Sequence, residues 1–316
     1  MSALTDAPAS AMAAARPPSP GRRRRRRPRP LFLLLLLLGP AALLIVVFIV
    51  APAFYGMYLS FTNTQLTGFA ARDPKFVGFD NYAYLLTNSG FLSSLGHTGE
   101  FVLYSAIIGQ TVLGMLAAIL LSRPWMRGKG IFGAAVLMPM IVPEVVASLT
   151  WASVLSNNSS GTLNQLTGLF GAPPTDWLQV VPMASVITVN IWRGIAFAMI
   201  MFQAALEDVP VELIEAARID GARALQVFRH VTLPLIRGPV FLYLLLTTIS
   251  TVGAFGLVYF LTQGGPGGQT RITAIYIYER ALQFSQVGIG SAASMILLVI
   301  VLVLGFVYVR LAKVEV

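Results

Sequence analysis

The sequence predicts an all-α integral membrane protein with six transmembrane helices. Hydrophobic residues make up 56% of its 316 residues and charged residues only 11%, and the mean hydropathy is +0.75. A soluble domain carries about a quarter charged residues. Six apolar runs are long enough to cross a bilayer as helices, which takes about 20 residues each. The runs cover residues 31–59, 101–121, 131–155, 181–206, 240–261 and 289–309.

These runs are continuous stretches rich in Leu, Ile and Val. The strands of a membrane barrel would instead alternate apolar and polar residues. Because lipid offers no hydrogen-bond partner to a free backbone group, we expect each span to be helical. The chain has no Cys, which excludes disulfides and thiolate metal sites. His97 and His230 are too few and too far apart in sequence for a convincing metal site, so we predict none.

The distribution of Lys and Arg predicts the orientation of the spans. Seventeen of these residues lie before the first run, between the second and third, between the fourth and fifth, or after the sixth. The opposite connections hold only Arg72, Lys75, Arg271 and Arg280. Both termini are therefore predicted to be cytoplasmic.

The first 30 residues are rich in Ala, Pro and Arg and contain little to bury. We predict a disordered, basic cytoplasmic tail over 1–30 and a single transmembrane domain over 31–316. Topology and anionic lipid headgroups explain the Arg run better than nucleic acid does. A cleaved signal peptide is disfavoured, because the first apolar run is longer than the usual 7–15 residues.

The most informative segment lies between the fourth and fifth apolar runs. Small residues at positions 216 and 217 would let a partner surface approach closely, and Gly221 can adopt the left-handed geometry that ends a helix. A second short helix from Arg223 is expected to stop before Pro234. The segment reads Glu215-Ala216-Ala217, three residues, Gly221, nine residues, and then Val231-Thr232-Leu233-Pro234.

This segment resembles the EAA motif of permease subunits in binding-protein-dependent ABC importers, with Val231 where Ile is usual. In that family the motif forms a coupling helix that docks on a separate ATPase subunit. The resemblance implies a coupling loop over 207–238 and a chain that is not itself an enzyme. The chain contains no Walker A sequence, so we expect ATP and Mg on the partner ATPase and no cofactor here. The residues assigned to ATPase coupling are Glu215, Ala216, Ala217, Asp220, Gly221, Leu233 and Pro234.

Three further segments resemble the carbohydrate-uptake branch of these importers, on the side of the maltose- and glycerol-phosphate-type first permease subunits. The resemblance implies the type I importer fold in a bacterial inner (cytoplasmic) membrane. It also implies a second homologous permease, two ATPase subunits and an extracytoplasmic solute-binding protein or lipoprotein. For the glycine-rich third segment, a plain flexible loop is an open alternative. The segments are Val77-Gly78-Phe79-Asp80-Asn81-Tyr82, Gly161-Thr162-Leu163-Asn164 and Leu261-Thr262-Gln263-Gly264-Gly265-Pro266-Gly267.

Polar groups inside a bilayer are costly and by default suggest function. Glu144 in the third run and Arg193 in the fourth suggest a buried ion pair that holds two helices in register. Sugars bind through hydrogen bonds and aromatic stacking, so hydroxyl, amide and indole groups in the spans are candidates for the substrate pathway. For each of them, helix–helix packing or an interfacial anchor is an alternative of at least equal weight. These candidates are Trp151, Asn190, Trp192, Gln203, Thr247, Ser250 and Thr251.

The predicted function is that of a permease subunit forming half of the pathway for a sugar or sugar derivative. An ABC importer for a polyamine, amino acid or peptide is the nearest alternative. A secondary transporter or channel would need no ATPase-docking loop and would more plausibly show internal repeats or proton-relay carboxylates. A membrane sensor would be expected to carry a sizeable soluble signalling domain.

Overall fold

The computed structural model describes residues 30–123, 125–157 and 161–312. Every regular element in these ranges is a helix, and the one strand-like feature there is an isolated antiparallel bridge between Thr62 and Phe76. The all-α prediction is therefore confirmed for the described residues. The predicted tail, except for Pro30, lies outside them.

Four helices are long and apolar enough to cross a membrane. Few charged residues interrupt their apolar sequences, and a helix can satisfy its backbone hydrogen bonds internally across a bilayer. The first continues a helix that begins at Pro30. In chain order the long helices are α1 (Leu37–Ser60), α3 (Ser89–Leu121), α6 (Pro182–Glu207) and α12 (Val287–Ala312), and the short helix α2 (Asp80–Thr87) precedes α3.

Shorter helices lie between the long ones in the described chain. Two pairs of them are together long and apolar enough to cross a membrane but are bent, α4 with α5 by 106° and α8 with α9 by 72°. If each bent pair is one span, the described chain has up to six. The shorter helices used below are α4 (Lys129–Ile141), α5 (Glu144–Val154), α7 (Val211–Ile219), α8 (Ala224–Leu235), α9 (Arg237–Val252), α10 (Phe255–Thr262) and α11 (Thr273–Tyr278). Three more, of four to seven residues, are Phe69–Arg72, Thr162–Gly168 and Trp177–Val180.

Two of the predicted continuous spans are broken. The third run, 131–155, divides at Val142 and Pro143, where Pro143 takes an extended ψ of 141° and α5 starts anew at Glu144. The fifth run, 240–261, divides at Gly253 and Ala254 between α9 and α10. Mean hydropathy does not reveal either break, because the residues around each break are as apolar as those of the helices. A proline at the first site and a glycine at the second were the available signals.

The second predicted span is longer than expected at its start. Helix α3 begins at Ser89, inside the predicted outer loop, and runs for 33 residues to Leu121. Asn88 caps it, because its side-chain oxygen accepts a hydrogen bond from the Phe91 N–H at 3.0 Å. The first turns carry Ser, Gly and His and are therefore too polar to score as membrane sequence, although they are helical.

The described chain divides into two compact units between Pro52 and Ala53. The described part of the first unit is helical, and almost all of its side chains from Leu37 onward are exposed. The second unit holds the remaining helices and the buried apolar core. One cluster of that core brings Phe101 of α3, Val186 of α6 and Leu257 of α10 together.

Helix α6 packs closely on α3 through glycines. A Cβ on Gly114 of α3 would collide with the Cβ of Ala198, and one on Gly109 would collide with the Ile191 side chain. From the other side, a Cβ on Gly194 of α6 would overlap the Gln110 side chain. Because lipid supplies no hydrophobic drive between helices, such small residues are what allow close backbone contact in a membrane.

We predict that Gly114→Ala destabilises the protein whereas Gly133→Ala does not. Both glycines are helical, but a Cβ on Gly133 meets nothing within 4 Å. Overpacking a tight contact costs about 1–3 kcal/mol, while alanine is the better helix former by roughly 1 kcal/mol. The temperature at which half the purified protein leaves its monodisperse state in detergent measures this. Equal melting of both variants would contradict the packing assigned to α3 and α6.

Candidate functional site

The segment containing the glutamate-alanine-alanine motif forms helix α7, which ends as the sequence predicts. Gly221 has φ +83°, in the left-handed region. The Ala222 N–H bonds the Ala217 carbonyl and the Gly221 N–H bonds the Arg218 carbonyl, both at 3.0 Å. These two bonds form a Schellman motif, the termination for which glycine is preferred.

The following helix differs from the prediction, because α8 does not stop before Pro234. It widens into a π turn over Phe228–Thr232 and continues through Leu233–Leu235, with Ile236 as its C-cap. In the π turn the Leu233 N–H bonds the Phe228 carbonyl, five residues back. A π turn of this kind loosens the helix ahead of Pro234, which has no N–H to contribute.

Helix α7 is anchored by one face only. Ala205, Val209 and Ile236 form a small buried cluster where α6, α7 and α9 approach one another. Ile214 of α7 packs against that cluster. The remaining faces of α7 and the start of α8 are open to solvent in this chain.

Two strongly exposed apolar side chains stand on this open surface. Ile219 at the end of α7 is 87% exposed and Leu225 at the start of α8 is 76% exposed. Neither residue was predicted from the sequence, although apolar residues in an Arg-bearing loop were the available signal. Between the two helices lies an open cleft of about 370 Å³. We call Ile219, Leu225 and the cleft together the coupling surface.

The structure places most of the predicted coupling residues on or beside this surface. Ala217, Asp220 and Gly221 line the cleft together with residues of α8 that include His230. Glu215, Ala216, Leu233 and Pro234 are exposed on the same two helices.

A second group of predicted residues lies in a buried polar network between α3, α6 and α9. Gln110 of α3 donates from Nε2 to the Asn190 carbonyl at 2.9 Å. Its Oε1 accepts from Thr247 Oγ1 at 2.8 Å and from the Tyr243 hydroxyl at 3.3 Å. The Asn190 Nδ2 donates to Ser105 Oγ at 2.7 Å. Asn190 and Thr247 therefore hold helices together here, and Gln110, which sequence analysis missed, joins them.

The other pathway candidates keep more open surroundings, with one exception. The indoles of Trp151 and Trp192 meet edge to face with centroids 5.7 Å apart, and both are half-buried. Ser250 is exposed, whereas Thr251 is buried. Gln203 donates to Glu207 Oε1 one turn along α6 at 3.1 Å.

The predicted ion pair of Glu144 with Arg193 is not found. The single side-chain ion pair among the described residues joins Arg271 to Glu279 at 3.6 Å. Glu144 instead caps α10: its Oε1 accepts a hydrogen bond from the Leu257 N–H at 2.7 Å. Hydrogen-bond donors of a broken span need such a partner, and the prediction went wrong because it assumed a continuous fifth span with no free N–H groups.

Arg193 has no hydrogen-bond or ion-pair partner among the residues that the structure describes. Its Nε is buried and makes no hydrogen bond, and the described carboxylates lie beyond ion-pair distance.

Helix α5 binds α10 through two side chains. Besides Glu144, Ser148 contributes, because its Oγ donates to the Leu257 carbonyl at 3.1 Å.

Side-chain hydrogen bonds hold each of the three segments that resemble the sugar-type branch in place. Asn81 Nδ2 donates to the carbonyls of Ser60 and Thr62, both at 2.8 Å, at the end of α1. Asn164 Oδ1 accepts from Trp177 Nε1 at 2.8 Å. Thr270 Oγ1 donates to the Gly265 carbonyl at 2.7 Å. The glycine-rich segment thus has a side-chain hydrogen bond within its own loop.

Comparison with known proteins gives a consistent result. The family model described as binding-protein-dependent transport system inner membrane component matches residues 110–314. The trehalose/maltose transport system permease protein MalF of Thermococcus litoralis is 31% identical, covering 87% of this chain and 91% of its own length. The sn-glycerol-3-phosphate transport system permease protein UgpA of Agrobacterium fabrum is 30% identical, covering 84% and 89%.

Solved structures share the fold. A chain of a bacterial alginate ABC transporter, in complex with an alginate pentasaccharide-bound periplasmic protein, superposes with a TM-score of 0.73 at 22% identity. The match covers 89% of this chain and 94% of that one.

We predict that Glu144→Gln is tolerated and Glu144→Ala is not. Glutamine keeps an acceptor oxygen for the Leu257 N–H, whereas alanine leaves a buried donor unpaired, which costs about 1–3 kcal/mol. Thermal stability of the purified protein in detergent measures the difference.

A charge-swapped double variant, Glu144→Arg with Arg193→Glu, serves as the control for the ion-pair hypothesis. Since the two residues do not pair, the swap should be no more stable than Glu144→Arg alone. Recovery of stability in the swap would contradict the capping role.

Proposed function

This chain belongs to the family of binding-protein-dependent transport system inner membrane components, and we propose that it carries a sugar or sugar derivative. Such chains are non-catalytic permease subunits of ABC importers, and the ATPase is a separate polypeptide. The observation that carries the assignment is the coupling surface, with a glycine-terminated α7 beside a cleft and two apolar side chains in the open.

The coupling surface has the chemistry of a docking site. Exposed Ile219 and Leu225 would bury apolar area on a partner, at about 25 cal/mol per Å². Glu215 and Asp220 offer carboxylates for basic residues of an ATPase subunit at the rim, where such pairs favour orientation over affinity. Ala216 keeps the helix face low enough for close approach.

We assign six spans to the chain: α1, α3, the bent pair α4 and α5, α6, α9 continued by α10, and α12. In this proposal α8, which is bent by 72° against α9, stays outside the membrane. Both termini and the coupling surface lie in the cytoplasm in this proposal, and the loops around α2 and α11 lie outside. The support is the asymmetry of Lys and Arg. The membrane is the inner membrane of a bacterium.

The complex we propose has two permeases, two ATPase subunits and an extracytoplasmic binding protein. The alginate transporter of similar fold is described with a periplasmic protein that carries its oligosaccharide. ATP-driven closure of the ATPase subunits would draw the two coupling surfaces together, and the cavity between the permeases would then open outward to receive the solute.

For the solute pathway we retain Trp151, Trp192, Gln203 and Ser250 as candidate contacts. The half-buried indole pair offers aromatic edges and faces on which a sugar ring can stack. Three of the other candidates would support the pathway wall without touching the solute, because their side chains are buried in this chain: Asn190, Thr247 and Thr251. The names of the relatives, which include trehalose, maltose and glycerol phosphate, support a small polyhydroxylated solute.

We predict that Gly221→Val abolishes uptake while leaving membrane insertion intact. A Cβ on Gly221 meets nothing within 4 Å, so its whole effect comes from the φ of +83°. A left-handed residue with a side chain costs about 1–2 kcal/mol, more when β-branched. Solute-stimulated ATP hydrolysis by the reconstituted complex, together with co-purification of the ATPase subunits, measures the loss.

Gly221→Asn is the matched control, because asparagine enters the left-handed region more readily. It should retain most of the stimulated hydrolysis. Glu215→Lys should weaken coupling less than Gly221→Val, since it reverses one rim charge without altering the helix end. Normal stimulated hydrolysis in Gly221→Val would remove the coupling assignment.

We predict opposite membrane sides for two exposed positions, tested by single cysteines in this Cys-free chain. Gln269→Cys, in the loop before α11, should react with a membrane-impermeant maleimide added to cells whose outer membrane has been permeabilised and whose inner membrane is intact. Val211→Cys, at the start of α7, should react only after the inner membrane is permeabilised. Both side chains are exposed, so access alone decides the result. The reverse pattern would overturn the orientation.

A further inference from the structure

Arg193 lies at the middle of the central helix of the described chain. Helix α6 runs from Pro182 to Glu207, so Arg193 is about 16 Å from one end and about 21 Å from the other at 1.5 Å per residue. An arginine side chain is too short to bring its charge to either membrane surface from there. The guanidinium also keeps its positive charge in proteins.

A charge at this depth needs an anionic or strongly polar partner. The structure supplies none: the Arg193 Nε is buried without a hydrogen bond, and Glu144, the predicted counter-ion, is occupied by the Leu257 N–H. A polar network lies close by, because Asn190 and Gly194 contact Gln110 of α3. The hydrogen bonds of that network join its own members, and none of those among the described residues involves the guanidinium.

The Arg193 side chain is itself partly exposed. Residues three, four or seven apart share a helix face, and one turn away on the Arg193 face Val189 and Ala196 are buried. Two turns on, Ile200 is 45% exposed, and Ala204 beyond it is also exposed. An unpaired charge within a span faces water or another polar surface rather than lipid, and the strip from Arg193 to Ala204 is expected to do so.

We propose that Arg193 binds an oxyanion on the transported solute, so that this permease takes a sugar bearing a carboxylate, phosphate or sulfonate group. The inference rests on the proposed function and narrows it to acidic sugars. The guanidinium would form two parallel hydrogen bonds with the acid group, and the neighbouring Trp192, in contact with Trp151, would offer an aromatic surface to the sugar ring. The alternative source of an oxyanion is a carboxylate of the second permease.

Charged thiol reagents distinguish these sources without knowledge of the solute. The assembled complex carries Ile200→Cys as the only thiol of this chain, in membrane vesicles opened to both sides. The probes are sulfonatoethyl and trimethylammonioethyl methanethiosulfonate, which are anionic and cationic. Mass spectrometry of the peptide containing residue 200 gives the ratio of their rates, normalised to a free thiol.

An unpaired guanidinium two helical turns away should favour the anionic reagent by about tenfold, from Coulomb attraction in a partly screened channel. Arg193→Gln should bring the ratio close to one, and Arg193→Lys should preserve most of it. Arg72→Gln is the matched control: it removes an exposed charge from the outer loop and should leave the ratio unchanged.

A ratio near one that falls below one in Arg193→Gln would show that a carboxylate of the second permease already neutralises Arg193, and would overturn the proposal. Failure of both reagents to label position 200 would also overturn it, because the strip would then be sealed. Stimulation of ATP hydrolysis by the extracytoplasmic binding protein, added with the solute it carries when purified from its native cells, reports the transporter assignment separately. Coupled hydrolysis with a ratio near one therefore removes only the acidic-sugar inference, whereas a tenfold ratio without coupled hydrolysis removes the importer assignment.

Discussion

The structure depends on satisfying the hydrogen-bonding capacity of every backbone N–H and carbonyl in the apolar segments. The hydrogen bond from the Leu257 N–H to Glu144 does this beside a break in a predicted span. Two predicted spans are broken, one at Val142 and Pro143 and one at Gly253 and Ala254. Each break leaves helix-terminal donors and acceptors that only protein can satisfy. Glu144, at the start of α5, accepts a hydrogen bond from the Leu257 N–H near the start of α10, so the helix after one break binds the helix after the other. Ser148 adds a second hydrogen bond, to the Leu257 carbonyl.

The all-helical class, the glycine-terminated α7 and the positions of α6 and α12 followed from hydropathy and turn chemistry. The breaks within the third and fifth runs did not, because an average over some 20 residues cannot register one proline or one glycine among apolar neighbours. The early start of α3 escaped for the opposite reason, since its first turns are helical but polar. Local chemistry predicts helix ends well where a positive φ is required, as at Gly221, and less well where a π turn absorbs a proline, as at Pro234.

Some polar residues in the spans could likewise be predicted from the sequence to be important, but their partners could not. Sequence spacing identified Asn190 and Thr247 as notable, but their partner, Gln110, lies 80 residues before Asn190 and 137 before Thr247, so no local pattern connects them. The ion pair of Glu144 with Arg193 was the simplest pairing of two mid-span charges. It failed because a carboxylate has a second possible partner, a free N–H group, which becomes visible only when the break in the neighbouring helix is known. The coupling surface was predictable in outline, and its two exposed apolar side chains were not.

The small cluster of Ala205, Val209 and Ile236 has a mechanical consequence. It joins the end of α6 to the start of α9 directly beneath α7, and Ile214 seats α7 upon it. Because close-packed interiors have low compressibility, a force applied to α7 cannot be taken up by deforming this joint. Such a force would instead displace α6 and α9 together, the two helices that also share the Gln110 network. In the proposed importer, a small movement of α7 at the membrane surface would therefore be transmitted to the middle of the membrane. The work delivered there would be limited by how tightly the ATPase subunit binds α7.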